Sequence, residues 1–134
     1  MNGRAFLDTN ILIYAVLDDG PKVETAQFLV ASGAVISVQV LNEFASVARR
    51  KFNKTWAEIG DALEIIRSLV LEIAPLTIDA HDAAFAIAAR LNYGVYDAMI
   101  IASAAGTGCD VLYSEDMRHG QVIDGVRIVN PFAP

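Results

Sequence analysis

Four carboxylates stand where a folded chain could bring them into one cleft. Asp8 ends the short β-type run from Arg4 to Leu7, and Asp116 follows Val111-Leu112-Tyr113-Ser114. Asp97 heads a very apolar segment, and Glu43 interrupts the stripe of Val40, Leu41, Phe44, Ala45, Val47 and Ala48. Gathered carboxylate oxygens hold hard divalent cations such as Mg²⁺ or Mn²⁺, which activate water and neutralise charge at a phosphate. Each acid also has a simpler reading. Asp8 and Asp97 are favoured helix N-caps, Asp116 suits a turn, and Glu43 could belong to a structural salt bridge. Glu43 is the hardest to explain this way, because a carboxylate on an apolar stripe is costly unless a cation answers it.

Other chemistries find less support. His81 and His119 are the only histidines, lack metal-ligand spacing and read as surface residues. No strand-turn-helix G-x-S-x-G elbow presents a serine nucleophile, and there is no Gly-rich phosphate loop. Cys109, the only cysteine, reads as a small buried hydrophobe.

The elements that would carry the acids alternate between strand and helix. Strands are expected at residues 4–7, 34–37, 71–74, 111–114 and 126–129. Between them, Asp8-Thr9-Asn10 precedes a short helix, residues 22–32 form a second that Gly33 ends, and a third runs from about Gln39 to Lys51. Thr55-Trp56-Ala57-Glu58 has capping-box spacing and starts a helix to about Leu69, with Ile59, Leu63, Ile66 and Val70 facing inward. Thr77 or Asp79 caps a helix to Leu91, Asn92-Tyr93-Gly94 stops it, and Asp97 opens the next, which ends at Gly106-Thr107-Gly108. Such alternation predicts a mainly parallel sheet of four to five strands, covered by helices on both faces. Ligands of such sheets bind beyond the carboxyl ends of the strands, where all four acids would lie.

Composition sets the outer bounds. With 134 residues, 54% of them hydrophobic, and only four prolines, the chain is expected to form one compact domain, residues 1–134. The mean hydropathy of +0.42 suggests that some apolar surface meets a partner. A net charge of −6 argues against broad attraction to nucleic acid, yet cations at an acidic cluster would reverse the sign locally. Arg49, Arg50, Lys51 and Lys54 form the one basic concentration, suited to RNA phosphates or to a helix C-terminus. A lone cysteine, no leader pattern and no bilayer-length apolar run predict an unprocessed, soluble, cytoplasmic protein with no membrane partner.

Taken together in order, F-L-D-T-N-I-L-I-Y, V-L-N-E-F, Y-D-A-M-I-I-A-S-A-A, L-Y-S-E-D-M and the closing I-V-N-P-F resemble the PIN domain family, specifically VapC-type toxin ribonucleases. The resemblance implies a three-layer α/β/α sandwich. It also implies Mg²⁺-dependent RNA cleavage, with Mn²⁺ as a substitute, by Asp8, Glu43, Asp97 and Asp116, leaving a 5′-phosphate and a 3′-hydroxyl. Thr9 and Ser114 match the family's hydroxyls near the metal, and Asn10 reads as a structural residue of the turn. Glu115 adjoins Asp116, which is preferred because Ser114-x-Asp116 fits the hydroxyl-x-acid pattern. The expected partners are a cognate antitoxin, an RNA substrate and a second copy in a homodimer, with residues 55–69 and 22–32 as candidate docking helices. Two other readings stand beside this one: a PIN-like binding module without catalysis, and a haloacid dehalogenase-like phosphatase. The phosphatase would need a second Asp where Asn10 stands, and a later lysine that the chain lacks.

Overall fold

The computed structural model describes residues 3–134. Strand β1 (Arg4–Leu7) leads through helices α1 (Thr9–Val16) and α2 (Val23–Ala31) to β2 (Val35–Ser37). Helices α3 (Val38–Lys51) and α4 (Trp56–Leu69) lead on to β3 (Glu72–Ala74), and α5 (Ile78–Leu91) and α6 (Val95–Gly106) to β4 (Cys109–Tyr113). The chain closes with β5 (Val122–Ile123) and β6 (Val126–Val129).

One sheet in the order β3-β2-β1-β4-β6-β5 results, parallel except for the β5–β6 pair. The connections β1 to β2 to β3 step one way along the sheet, and the long α5–α6 connection returns across it to β4. Right-handed crossovers then place α1 to α4 on one face and α5 and α6 on the other, giving three layers. The strand order reverses between β1 and β4, which opens a crevice at their carboxyl ends. Leu7 pairs with Tyr113 there, so Asp8 and Ser114 leave the sheet side by side. The core on either side is apolar: Phe6, Leu7, Ile36, Phe44, Ile101, Leu112 and Ile128 are fully buried.

Local chemistry sets the helix starts and stops. Ser37 caps α3 through Val40 N, and Thr77 caps α5 through Ala80 N. Asn92 takes the left-handed conformation (φ 58°) that ends α5. At α4 the expected capping box is complete, Thr55 Oγ1 accepting from Glu58 N at 3.1 Å and Glu58 Oε1 from Thr55 N at 2.9 Å. Thr55→Ala is therefore expected to cost about 1 kcal/mol. Urea unfolding checks this through a lower midpoint at unchanged slope; a midpoint equal to wild type would contradict it.

Three expectations shift. Helix α6 starts at Val95, so Asp97 is its third residue, and Gly94 occupies the cap without a side-chain bond. Cys109 is the first residue of β4 rather than its prelude. The sixth strand, β5, is two residues long and pairs with β6 across Asp124-Gly125, both at positive φ as a tight hairpin turn requires. Among the described residues, no helix is long and apolar enough to cross a membrane.

Candidate active site

Asp8 has extended backbone (φ −73°, ψ 162°) as the N-cap of α1, and its amide continues the ladder to Tyr113 O at 3.0 Å. Its carboxylate is 5% exposed and held from two sides. Oδ1 accepts from the Thr9 amide at 2.7 Å, and Oδ2 accepts from Ser114 Oγ at 2.8 Å. Ser114 Oγ in turn accepts from the Asp116 amide at 3.2 Å, so one buried hydroxyl fastens the turn after β4 to the turn after β1. The cap role and a ligand role are thus compatible, because each carboxylate oxygen keeps a lone pair.

The other acids arrive from three further elements. Glu43 sits half-buried in the second turn of α3, where its Oε1 accepts from Thr9 Oγ1 at 2.7 Å. Asp97 comes from the first turn of α6, which Gln39 steadies by donating from Nε2 to Tyr96 O at 3.0 Å. Asp116 is exposed and accepts from Asn10 Nδ2 at 3.0 Å. All four acids line one open cleft of about 520 Å³, together with Thr9 and Asn10.

The electrostatics of this cleft are unbalanced. Burial, reinforced by Asp97 and Glu43, pushes Asp8 up to about 6, against the opposing pull of its bonds from Ser114 and Thr9. Burial and then the Asp116 charge also raise Asp97. The ion pairs among the described residues are Arg4–Glu72, Lys22–Glu115 and Arg90–Asp124, and none includes these four acids.

Whether the donors suit a divalent cation is a matter of their chemistry. All are hard oxygens, as Mg²⁺ and Mn²⁺ prefer, and each carboxylate spends only part of its acceptor capacity on the bonds above. Among the described residues, no three His, Cys, Asp or Glu side chains form a ready-made metal group. Asp8, Glu43 and Asp116 are instead each bonded to a neighbouring donor. The donor set fits.

Other candidates separate. Glu115 accepts from Lys22 Nζ and from the Tyr14 hydroxyl; burial would raise it, but these two partners outweigh burial and hold it low. Arg50 and Lys51 line the cleft, with Arg50 Nε on Ser46 Oγ at 3.2 Å. Arg49 does not join them. It donates to Lys54 O at 3.0 Å and lies over the Trp56 ring at 5.3 Å, so the expected trio of basic contacts reduces to two. His81 and His119 are exposed and Cys109 is buried, as expected. Sequence reasoning missed Gln39, whose buried amide bridges α3 to α6, and the Lys22–Tyr14 arm. Only Lys22 gave a signal, as the one cation between Arg4 and Arg49.

Comparison with known proteins bears on the whole arrangement. The family model for the PIN domain matches residues 5–124. The VapBC complex of Salmonella typhimurium bound to DNA shares 25% identity, with 95% of this chain and 97% of that one covered and a TM-score of 0.65. Mycobacterium tuberculosis VapC20, described as a sarcin-ricin loop cleaving toxin, shares 23% identity over 84% of this chain and 89% of that one, with a TM-score of 0.70. A toxin–antitoxin complex from Klebsiella pneumoniae shares 19% identity over 96% and 98% of the two chains, with a TM-score of 0.73. The latter two likenesses bear on the fold alone. Comparison with curated protein sequences gave no match.

Proposed function

The chain belongs to the PIN domain family, and from that premise we propose that residues 1–134 form one catalytic domain, a metal-dependent endoribonuclease of the VapC type. It acts as the toxin half of a type II toxin–antitoxin pair in the cytoplasm. The observation that carries this reading is the convergence of Asp8, Glu43, Asp97 and Asp116 on one open cleft with no ion-pair partner among the described residues. When bound, Mg²⁺ (or Mn²⁺ in its place) supplies an activated water and neutralises charge gathering on the phosphate. Asp8, Asp97, Asp116 and Glu43 would hold the cation. Ser114 fixes the carboxylate of Asp8 and the backbone of Asp116, and Thr9 fixes Glu43. Arg50 and Lys51, on the rim formed by the end of α3, receive RNA phosphates in a protein whose net charge would otherwise repel them.

The partner side rests on the similarity to the VapBC complex of Salmonella typhimurium and on exposed apolar side chains. Trp56, Ile65 and Leu69 on α4 and Phe28 on α2 are exposed, on the two helices expected to dock an antitoxin or a second copy. A PIN-like module that binds RNA without cutting it would keep the fold and lose the need for the four acids. The phosphatase alternative falls with the family assignment and with Asn10, which is committed to Asp116.

The experiment is cleavage of single-stranded RNA by purified protein in Mg²⁺ and in EDTA, with the neighbouring open reading frame's product added as inhibitor. Cleavage that needs Mg²⁺ and stops on addition of that product supports the reading. In the same assay, Arg50→Ala with Lys51→Ala should weaken RNA binding and reduce the salt slope by roughly 1.4, two phosphate contacts' worth. Arg49→Ala should leave that slope unchanged, and an equal effect of all three would contradict the placement of the basic rim.

A further inference from the structure

Glu115 is a neighbour of Asp116, yet its side chain has other commitments. One carboxylate oxygen accepts from the Tyr14 hydroxyl and the other from the Lys22 ammonium, so both are engaged within the protein. Lys22 Nζ stands 4.8 Å from the centre of the Tyr14 ring and 5.3 Å from that of Phe132. These two rings meet edge to face at 5.2 Å and 78°. Phe132 is itself held, because its amide donates to Asn130 Oδ1 at 2.9 Å and the Asn130 amide donates to His119 Nδ1 at 2.9 Å. Tyr14 of α1 and Lys22 at the entrance of α2 therefore meet on the Glu115 carboxylate, and Phe132 from the C-terminal residues packs against both of them. The pair is partly withdrawn from water, at 23% side-chain exposure for Glu115 and 37% for Lys22. Such a pair is held more firmly than one on a fully solvated surface.

Asp116 has no comparable support of its own. Its exposed carboxylate receives one bond, from Asn10, and its position otherwise follows the loop backbone. That backbone is fixed on one side by Ser114 Oγ to the Asp116 amide, and by the weaker 3.4 Å bond from the Glu115 amide to Asn10 Oδ1. The Glu115 side chain anchors the loop further, beside the bond from the Ser114 amide to Val129 O and the buried Met117.

We propose that Glu115 is a positioning residue: its ion pair with Lys22, braced by Tyr14 and Phe132, fixes the loop 114–116 so that Asp116 is presented to the divalent cation. The inference rests on the metal-dependent reading above. It gives the closing Asn130-Pro131-Phe132 segment a task at the site, because Phe132 completes the brace around Lys22. Loss of the Lys22 charge removes the anchor of this loop.

Calorimetric titration of the protein with Mn²⁺ tests this directly, with circular dichroism to confirm that each variant is folded. Lys22→Gln and Glu115→Gln, made separately, should each raise the Mn²⁺ dissociation constant about tenfold, as loss of a partner behind a metal ligand does. Lys22→Arg, which keeps the pair, should bind Mn²⁺ like wild type. A purely structural pair would lower the melting temperature and leave the dissociation constant unmoved. Folded Lys22→Gln and Glu115→Gln proteins with wild-type Mn²⁺ affinity would overturn the positioning role and leave the metal reading intact. A wild-type protein that takes up no Mn²⁺ would overturn both.

Discussion

Asp8→Asn is expected to lower RNA cleavage by on the order of 10³-fold or more, while raising the thermal stability of the metal-free protein at neutral pH. The two effects have one origin. Asp8 is 5% exposed and faces Asp97 and Glu43, so its negative charge is costly in the metal-free protein and useful only to a cation. Asparagine keeps the shape: its oxygen still accepts from the Thr9 amide, and its NH₂ group donates to the Ser114 hydroxyl. What disappears is the charge, which on the proposed reading supplies a central part of the hold on the cation. A kinetic assay beside a thermal melt separates these effects. Unchanged cleavage would remove Asp8 from the chemistry, and a lower melting temperature would contradict the repulsion argument.

The second large effect is the dependence of stability on pH. Folding raises Asp8 from its ordinary value of 3.8 to about 6, so the native state binds more protons than the unfolded chain across that window. The stability contributed by protonated Asp8 is fully present below about pH 4 and is lost as pH rises through about 6, amounting to roughly 3 kcal/mol. Asp97 shifts in the same direction, again chiefly through burial. The metal-free protein should therefore lose stability relative to Asp8→Asn between pH 4 and pH 7, read as a widening gap between the two melting temperatures. Because the cation binds the ionised form, millimolar Mg²⁺ or Mn²⁺ should close that gap at neutral pH and have little effect near pH 4. A gap independent of pH, or one unaffected by the cation, would count against a charged, metal-holding Asp8.

Much of the site was legible in the chain because it obeys local rules. Glu43 broke an apolar helix pattern, and Asp8 and Asp116 each followed a strand, where a parallel sheet delivers its loops to one end. The capping box at Thr55 and the stop at Asn92 depend on neighbours three or four residues away, so their chemistry survives in the sequence. Asp97 was expected to open its helix, with a plain cap as the alternative, but the helix starts at Val95 and carries it on the first turn. What stayed hidden depends on the direction a side chain takes after the chain has folded. Nothing in Arg49-Arg50-Lys51 says that Arg49 turns to Lys54 O and Trp56 while its neighbours face the cleft. The bonds from Gln39 to Tyr96 O and from Lys22 to Glu115 span 57 and 93 residues, beyond any local pattern. The short β5 escaped notice because two residues, one of them exposed, make no alternation.

The central proposal is that these carboxylates hold a divalent cation for RNA cleavage. Its most direct test is the cleavage rate of one RNA, measured against Mg²⁺ concentration, for the wild-type protein and for folded Asp8→Asn and Asp97→Asn. The rate should rise to saturation with Mg²⁺ in the wild type, vanish in EDTA, and stay near background in both variants at every concentration. Full cleavage in EDTA, or full cleavage by both variants, would contradict it.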